Sequence, residues 1–150
     1  MRFWSVSWVL PACLLACSVD ASDLSLTARI PEASIKVTNS AFSGLEGSFR
    51  LQLTLGSEAN GSTQVSLGKF ELESEASTFL ADLSDATPEP MFPIDLNKGE
   101  SKQVVFTLNS IGVDRDEVCA GRVRIVGSVM DTLKSGTEPV QSELFTPDCS

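Results

Sequence analysis

Apolar residues recur at every second position along much of this chain. Phe49, Leu51, Leu53 and Leu55 interleave Arg50, Gln52 and Thr54. Successive side chains of an extended strand point to opposite faces, so this stretch is a strand with one buried face. The same alternation runs through Leu24, Leu26, Ala28 and Ile30, then Ile35 and Val37 after Pro31. It returns in Val104, Phe106 and Leu108, in Val123, Ile125 and Val129, and in Val140 and Leu144. Val65 and Leu67 keep one parity, Phe70 and Leu72 the other; a phase switch at Gly68-Lys69 is the mark of a bulge. Turn-forming clusters separate the runs at Ser57 to Thr63, Ser84 to Pro93, Asn97-Lys98-Gly99-Glu100 and Lys134-Ser135-Gly136. No stretch sustains a helical period, and a single helical turn fits only Val113 to Val118. About 7–9 short antiparallel strands bury their apolar faces only against one another, which predicts an all-β, two-sheet sandwich.

The 150 residues suffice for one such domain. Their net charge of −9 excludes a nucleic-acid partner, because phosphate recognition needs clustered Lys and Arg. It also argues against electrostatic docking on anionic lipid. There is no His and no Tyr, and the two Trp residues, Trp4 and Trp8, sit at the extreme N-terminus. Without His there is no Ser-His-Asp or Cys-His site, and no His-containing zinc or copper site. No catalytic residue, metal ligand or cofactor is expected.

The N-terminus is a short basic start, Met1-Arg2, followed by an uncharged run from Phe3 to Ala16. That run is shorter than the roughly 20 apolar residues of a membrane span and has the dimensions of a signal peptide. It ends in Leu14-Leu15-Ala16-Cys17, which resembles the lipobox of bacterial lipoproteins. The resemblance implies a diacylglyceryl thioether on Cys17, cleavage between Ala16 and Cys17, and acylation of the new amino terminus, palmitate being a usual acyl group. Several acyl chains together hold a protein stably to a bilayer. Residues 1–16 are then leader, 17–23 a short tether and 24–150 the folded domain. Ser18, where Asp commonly retains Gram-negative lipoproteins at the inner membrane, implies the outer membrane if the host is Gram-negative. Other readings of the same residues are ordinary signal cleavage after Ala21, an uncleaved anchor, and a buried strand.

Four cysteines are present, at 13, 17, 119 and 149. With Cys13 lost and Cys17 lipidated, an even pair remains in an oxidising compartment such as the periplasm, which predicts a Cys119–Cys149 disulfide. A hairpin turn centred on Lys134-Ser135 sets these two opposite each other at its open end. Pairing Val129 with Val140 and Ile125 with Leu144 is one residue out of that register, and a bulge near Pro147 would reconcile them.

Four features are candidate sites. Asp114-Arg115-Asp116-Glu117 is dense in carboxylates but lacks the spaced ladder and Gly of a calcium loop, so a solvated corner is the simpler reading. Asp82, Asp85, Glu89 and Asp95 flank a Pro-rich loop and offer the paired carboxylates of acid–base chemistry only if folding brings them together. Met91 and Phe92, in that loop, form a binding patch if exposed and core if tucked under. Asn60-Gly61-Ser62 matches a glycosylation sequon and, in a bacterial lipoprotein, is a turn.

The stretch from Phe49 to Leu108 is similar to immunoglobulin-like domains of secreted bacterial proteins. Gly68-Lys69-Phe70-Glu71-Leu72 and the Leu96-to-Leu108 turn and strand carry that likeness, although the core Trp of true immunoglobulin domains is absent. The whole sequence therefore leads to the expectation of a non-enzymatic, lipid-anchored envelope protein that contacts another envelope protein in an accessory or assembly role. The alternative is a module binding a small ligand or divalent cation through its acidic loops.

Overall fold

A computed structural model of the chain describes residues 24–39 and 43–150. The strands are β1 (Leu26–Asn39), β2 (Ser43–Leu55), β3 (Thr63–Ser74), β4 (Phe79–Asp82), β5 (Thr87–Glu89), β6 (Ile94–Leu96), β7 (Ser101–Gly112), β8 (Val123–Asp131) and β9 (Thr137–Gln141). One helical turn, α1 (Arg115–Val118), lies between β7 and β8. The sheets have the orders β1-β2-β7-β5 and β4-β3-β8-β9, with β6 also paired to β3. All the named strands pair antiparallel. Taken in chain order, β1-β2-β7-β5 is the A-B-E-D sheet of an immunoglobulin-like sandwich and β3-β8-β9 its C-F-G sheet, with β4 and β6 added beside C.

The alternating residues meet between the sheets. Leu51, Leu53 and Leu55 are fully buried, and so are Val104, Leu108, Ile125 and Val129. Where a Trp is absent, phenylalanines fill the centre. Phe49 and Phe106 stack with centroids 4.4 Å apart, and Phe70 leans on both from the opposite sheet at 5.6 and 5.4 Å. Gly127 lies opposite Phe70 in the β3–β8 ladder, and a Cβ there would stand 2.5 Å from the Phe70 ring. The glycine is therefore part of the aromatic packing.

Phase switches in the sequence become bulges. Register shifts between Leu67 and Phe70 in β3, which lets both parities face inward. A second shift between Arg29 and Glu32 surrounds Pro31, so that Ile30 and Ile35 are both buried. Leu24 departs from the expected alternation. It precedes β1, whose pairing starts at Leu26, and is about half exposed.

The topology sorts the loops to two ends. The start of β1, residues 56–62, 97–100 and 132–136 gather at one end. Residues 75–78 and the segment containing α1 gather at the other. Among the described residues, no helix is long and apolar enough to cross a membrane.

Candidate functional site

The most elaborated part of the molecule lies at the end away from Leu26, where α1 meets the last residues of the chain. Asp114 caps α1: its carboxylate accepts from the N–H groups of Asp116 at 3.0 Å and Glu117 at 3.3 Å. The acidic cluster therefore starts a helical turn, in which the exposed carboxylates of Asp116 and Glu117 lie near the first N–H groups. Cys119 ends the turn, its N–H donating to the Arg115 carbonyl at 2.8 Å.

Residues 142–149 form a strap that runs from β9 across the seam between the sheets. The Ser142 N–H donates to the Ile125 carbonyl at 2.9 Å, and the Ser142 Oγ accepts the Ile125 N–H at 3.0 Å. Phe145 and Val123 exchange both backbone bonds at 2.9 Å. The strap, which already bridges Ile30 of β1 at Ser142, then changes sheet. Asp148 lies parallel to β1, donating its N–H to the Ile35 carbonyl at 2.8 Å and accepting the Val37 N–H at 2.7 Å. The disulfide between Cys149 and Cys119 fastens its end, with Cα atoms 6.1 Å apart. The Arg115 guanidinium donates to the Cys149 carbonyl at 2.5 Å. Ser150 donates its hydroxyl and N–H to the Asp148 carboxylate, which holds that group below the usual carboxylate range.

The disulfide joins the cysteines expected from the sequence, but its setting differs. Val129 stands opposite Glu138, and Val140 opposite Gly127, so the β8–β9 register is not the one pairing Val129 with Val140. The irregularity that brings the cysteines level falls at Ser142 to Leu144, where Ser142 bonds Ile125 through both N–H and Oγ, and not at Pro147. The bridge clamps the strap against α1 and β1, beyond the end of the hairpin.

The loop pair Met91 and Phe92 divides. Met91 is 68% exposed. Phe92 is half-buried and packs on Phe106, with centroids 6.3 Å apart. Of the two, only Met91 is exposed.

The four carboxylates near that loop are not one site. Asp82 stands opposite Glu71 and Asp95 opposite Gln64, so the length of β3 separates them by roughly 20 Å. Glu89 lies in the other sheet, on β5. Asp82 accepts the Ser84 N–H at 2.9 Å and is 3.8 Å from Lys69 Nζ; the Ser84 bond first, then the lysine, hold its carboxyl below the usual range. Asp95 accepts from Gln64 Nε2 at 3.1 Å. Among the described residues no three Asp, Glu or Cys side chains are grouped so as to hold a metal ion.

Ala16 and Cys17 lie outside the described residues. Sequence reasoning missed the strap's parallel contact with β1 and the role of Arg115. A single cation inside an acidic run was the available signal, because it marks a side chain placed to bond something other than its neighbours.

The chain is similar to a fimbrial subunit. The structure concerned is the crystal structure of self-complemented MyfA, the major subunit of Myf fimbriae from Yersinia enterocolitica. The likeness covers 83% of this chain and 99% of that one, at 15% identity and a TM-score of 0.42. No family model matches the chain. No curated protein matches it either.

Proposed function

We propose that the chain is a lipoprotein carrying lipid on Cys17, and that its sandwich serves as a non-enzymatic accessory or assembly module binding another envelope protein. The observation that carries this reading is the closeness of the cysteine to the fold. The chain enters β1 at Leu26, so only residues 18–25 separate Cys17 from the first buried side chain. Fully extended they reach roughly 28 Å. Lipid on Cys17 therefore keeps the sandwich within about one domain diameter of the bilayer, with the loops at 56–62, 97–100 and 132–136 turned toward it. The opposite end, bearing α1 and the disulfide, faces outward and is free for a protein partner. The net negative charge keeps such a domain soluble above the membrane. With Ser18 after the cysteine, the outer membrane is the proposed address in a Gram-negative host.

Fractionation with and without detergent tests the anchor. The wild-type chain should sediment with membranes and be released only by detergent. Cys17→Ser should leave the chain unprocessed. A wild-type chain washed free by salt alone contradicts the proposal. Extraction in mild detergent tests the second half: a single partner should co-purify in fixed stoichiometry, and recovery of the chain alone after chemical cross-linking in intact cells counts against it.

A further inference from the structure

We propose that β9 and the strap behind it are an exchangeable arm, which a second copy of this chain accepts in the same seam once the Cys119–Cys149 bond is opened by a dithiol. The arm is bounded by the turn at residues 132–136 and runs from Thr137 to Ser150. It carries Val140, Ser142 and Pro147 as buried residues and Phe145 against the core. Its withdrawal would bare Val123, Ile125, Ile35 and Val37, all of them fully or nearly fully buried now. An apolar seam of that kind does not stay open to water.

The occupant is defined by register. The seam takes a hydroxyl that accepts from Ile125 N–H, a core-packing residue that exchanges both backbone bonds with Val123, an extended residue between Ile35 and Val37, and a thiol at Cys119. Ser142, Phe145, Asp148 and Cys149 meet those four requirements at the right spacing. The same arm of another copy meets them identically, which is the condition for domain swapping.

Four features favour exchange over general unfolding. The pairings of β1 with β2, β2 with β7 and β3 with β8 use none of the arm's residues, so the acceptor stays built. The β9 ladder is short and contains Pro139, which donates no backbone bond. In the hinge, Ser135 has φ +49°, a left-handed conformation that costs a non-glycine residue and is relieved when the turn straightens. A cleft of about 240 Å³ lined by Pro31, Ala33 and Phe145, among others, already parts β1 from the strap between its two points of contact.

The redox step balances. A dithiol gives two electrons and two protons to the Cys119–Cys149 bond, which leaves as two thiols while the dithiol closes to its own disulfide. A small-molecule disulfide then takes the electrons back, and the bond re-forms within one chain or between two.

Isotope mixing tests this on the wild-type chain, isolated from its membrane in mild detergent. Nitrogen-15-labelled and unlabelled protein are mixed at high concentration, treated with dithiothreitol, reoxidised with oxidised glutathione and digested without reduction. Peptides joining Cys119 of one label to Cys149 of the other are expected, approaching about half of all such peptides at full exchange and vanishing on dilution. Only same-label pairs at high concentration would overturn the proposal, and so would loss of the sandwich on reduction. Co-expression of Cys119→Ser and Cys149→Ser chains supplies a second measurement. A Cys119–Cys149 peptide can then arise only between chains, and its absence while both variants stay folded is equally contrary.

Discussion

Single atoms decide how the two sheets approach. At Gly127 any Cβ runs into the Phe70 ring, and that ring is held between Phe49 and Phe106. Gly127→Val should therefore lower stability by about 1–3 kcal/mol, read as a lower denaturant midpoint. Phe70→Ala removes the ring and leaves a cavity, at a cost of about 3–5 kcal/mol. Gly47 combines φ +137° with a Ser34 carbonyl that would stand 2.1 Å from a Cβ, so Gly47→Ala should disturb the β1–β2 ladder even though alanine is small. The phenylalanines were legible in the sequence as inward positions of alternating strands. Their mutual stacking was not, because alternation gives a face and not a neighbour. The pH response also belongs to this scale. Asn97 N–H, then Lys102, hold the Glu100 carboxyl below its ordinary range, as Ser84 and Ser150 do for Asp82 and Asp148. A depressed folded-state pKa stabilises above the unfolded value and is lost as pH falls through the folded one. With no His in the chain, the melting temperature should stay level from pH 8 to about 5 and fall below about 4. A transition between pH 6 and 7 would contradict this.

Among elements, the strap is where sequence and structure part most. Strands β2 and β7 announce themselves by strict alternation, and the turns between strands by Gly, Pro, Asn and Asp. The strap reads as two residues of one parity followed by Thr146 and Pro147, with no pattern to say that it leaves β8 for β1. Pro147 cannot donate to a ladder, and Asp148 takes over pairing on the other sheet. A parallel contact between the first strand and the last residues is invisible to local reading, because its partners lie at opposite ends of the domain. The disulfide was legible from cysteine counting alone. It closes a loop of sequence separation 30, for which chain entropy predicts a contribution of about 3–4 kcal/mol. The double variant Cys119→Ser/Cys149→Ser should lose that much in urea unfolding. Ser142→Ala removes the hydroxyl that accepts from the buried Ile125 N–H and should cost about 1–3 kcal/mol. If either variant unfolds at the wild-type midpoint, the strap is not holding the sheets together as described.

For the whole molecule, topology and the proposed anchor together give an orientation. The β1 start and three loops share one end, and α1 and the disulfide mark the other. If Cys17 bears lipid, the first end faces the bilayer. Trp4 and Trp8 leave with the proposed leader, so an introduced Trp reports its own position. In vesicles of lipids brominated near the headgroup, Asn60→Trp should be quenched more strongly than Ala120→Trp at the far end. Equal quenching would mean that the sandwich lies on its side or is not tethered. All of this depends on the chemistry at one cysteine. The direct measurement is the intact mass of the mature protein extracted from its own membrane. The expected species begins at Cys17, carries a diacylglyceryl thioether and an acylated amino terminus, and retains the Cys119–Cys149 bond. A mature chain that begins after Ala21, with no lipid mass, would contradict the account.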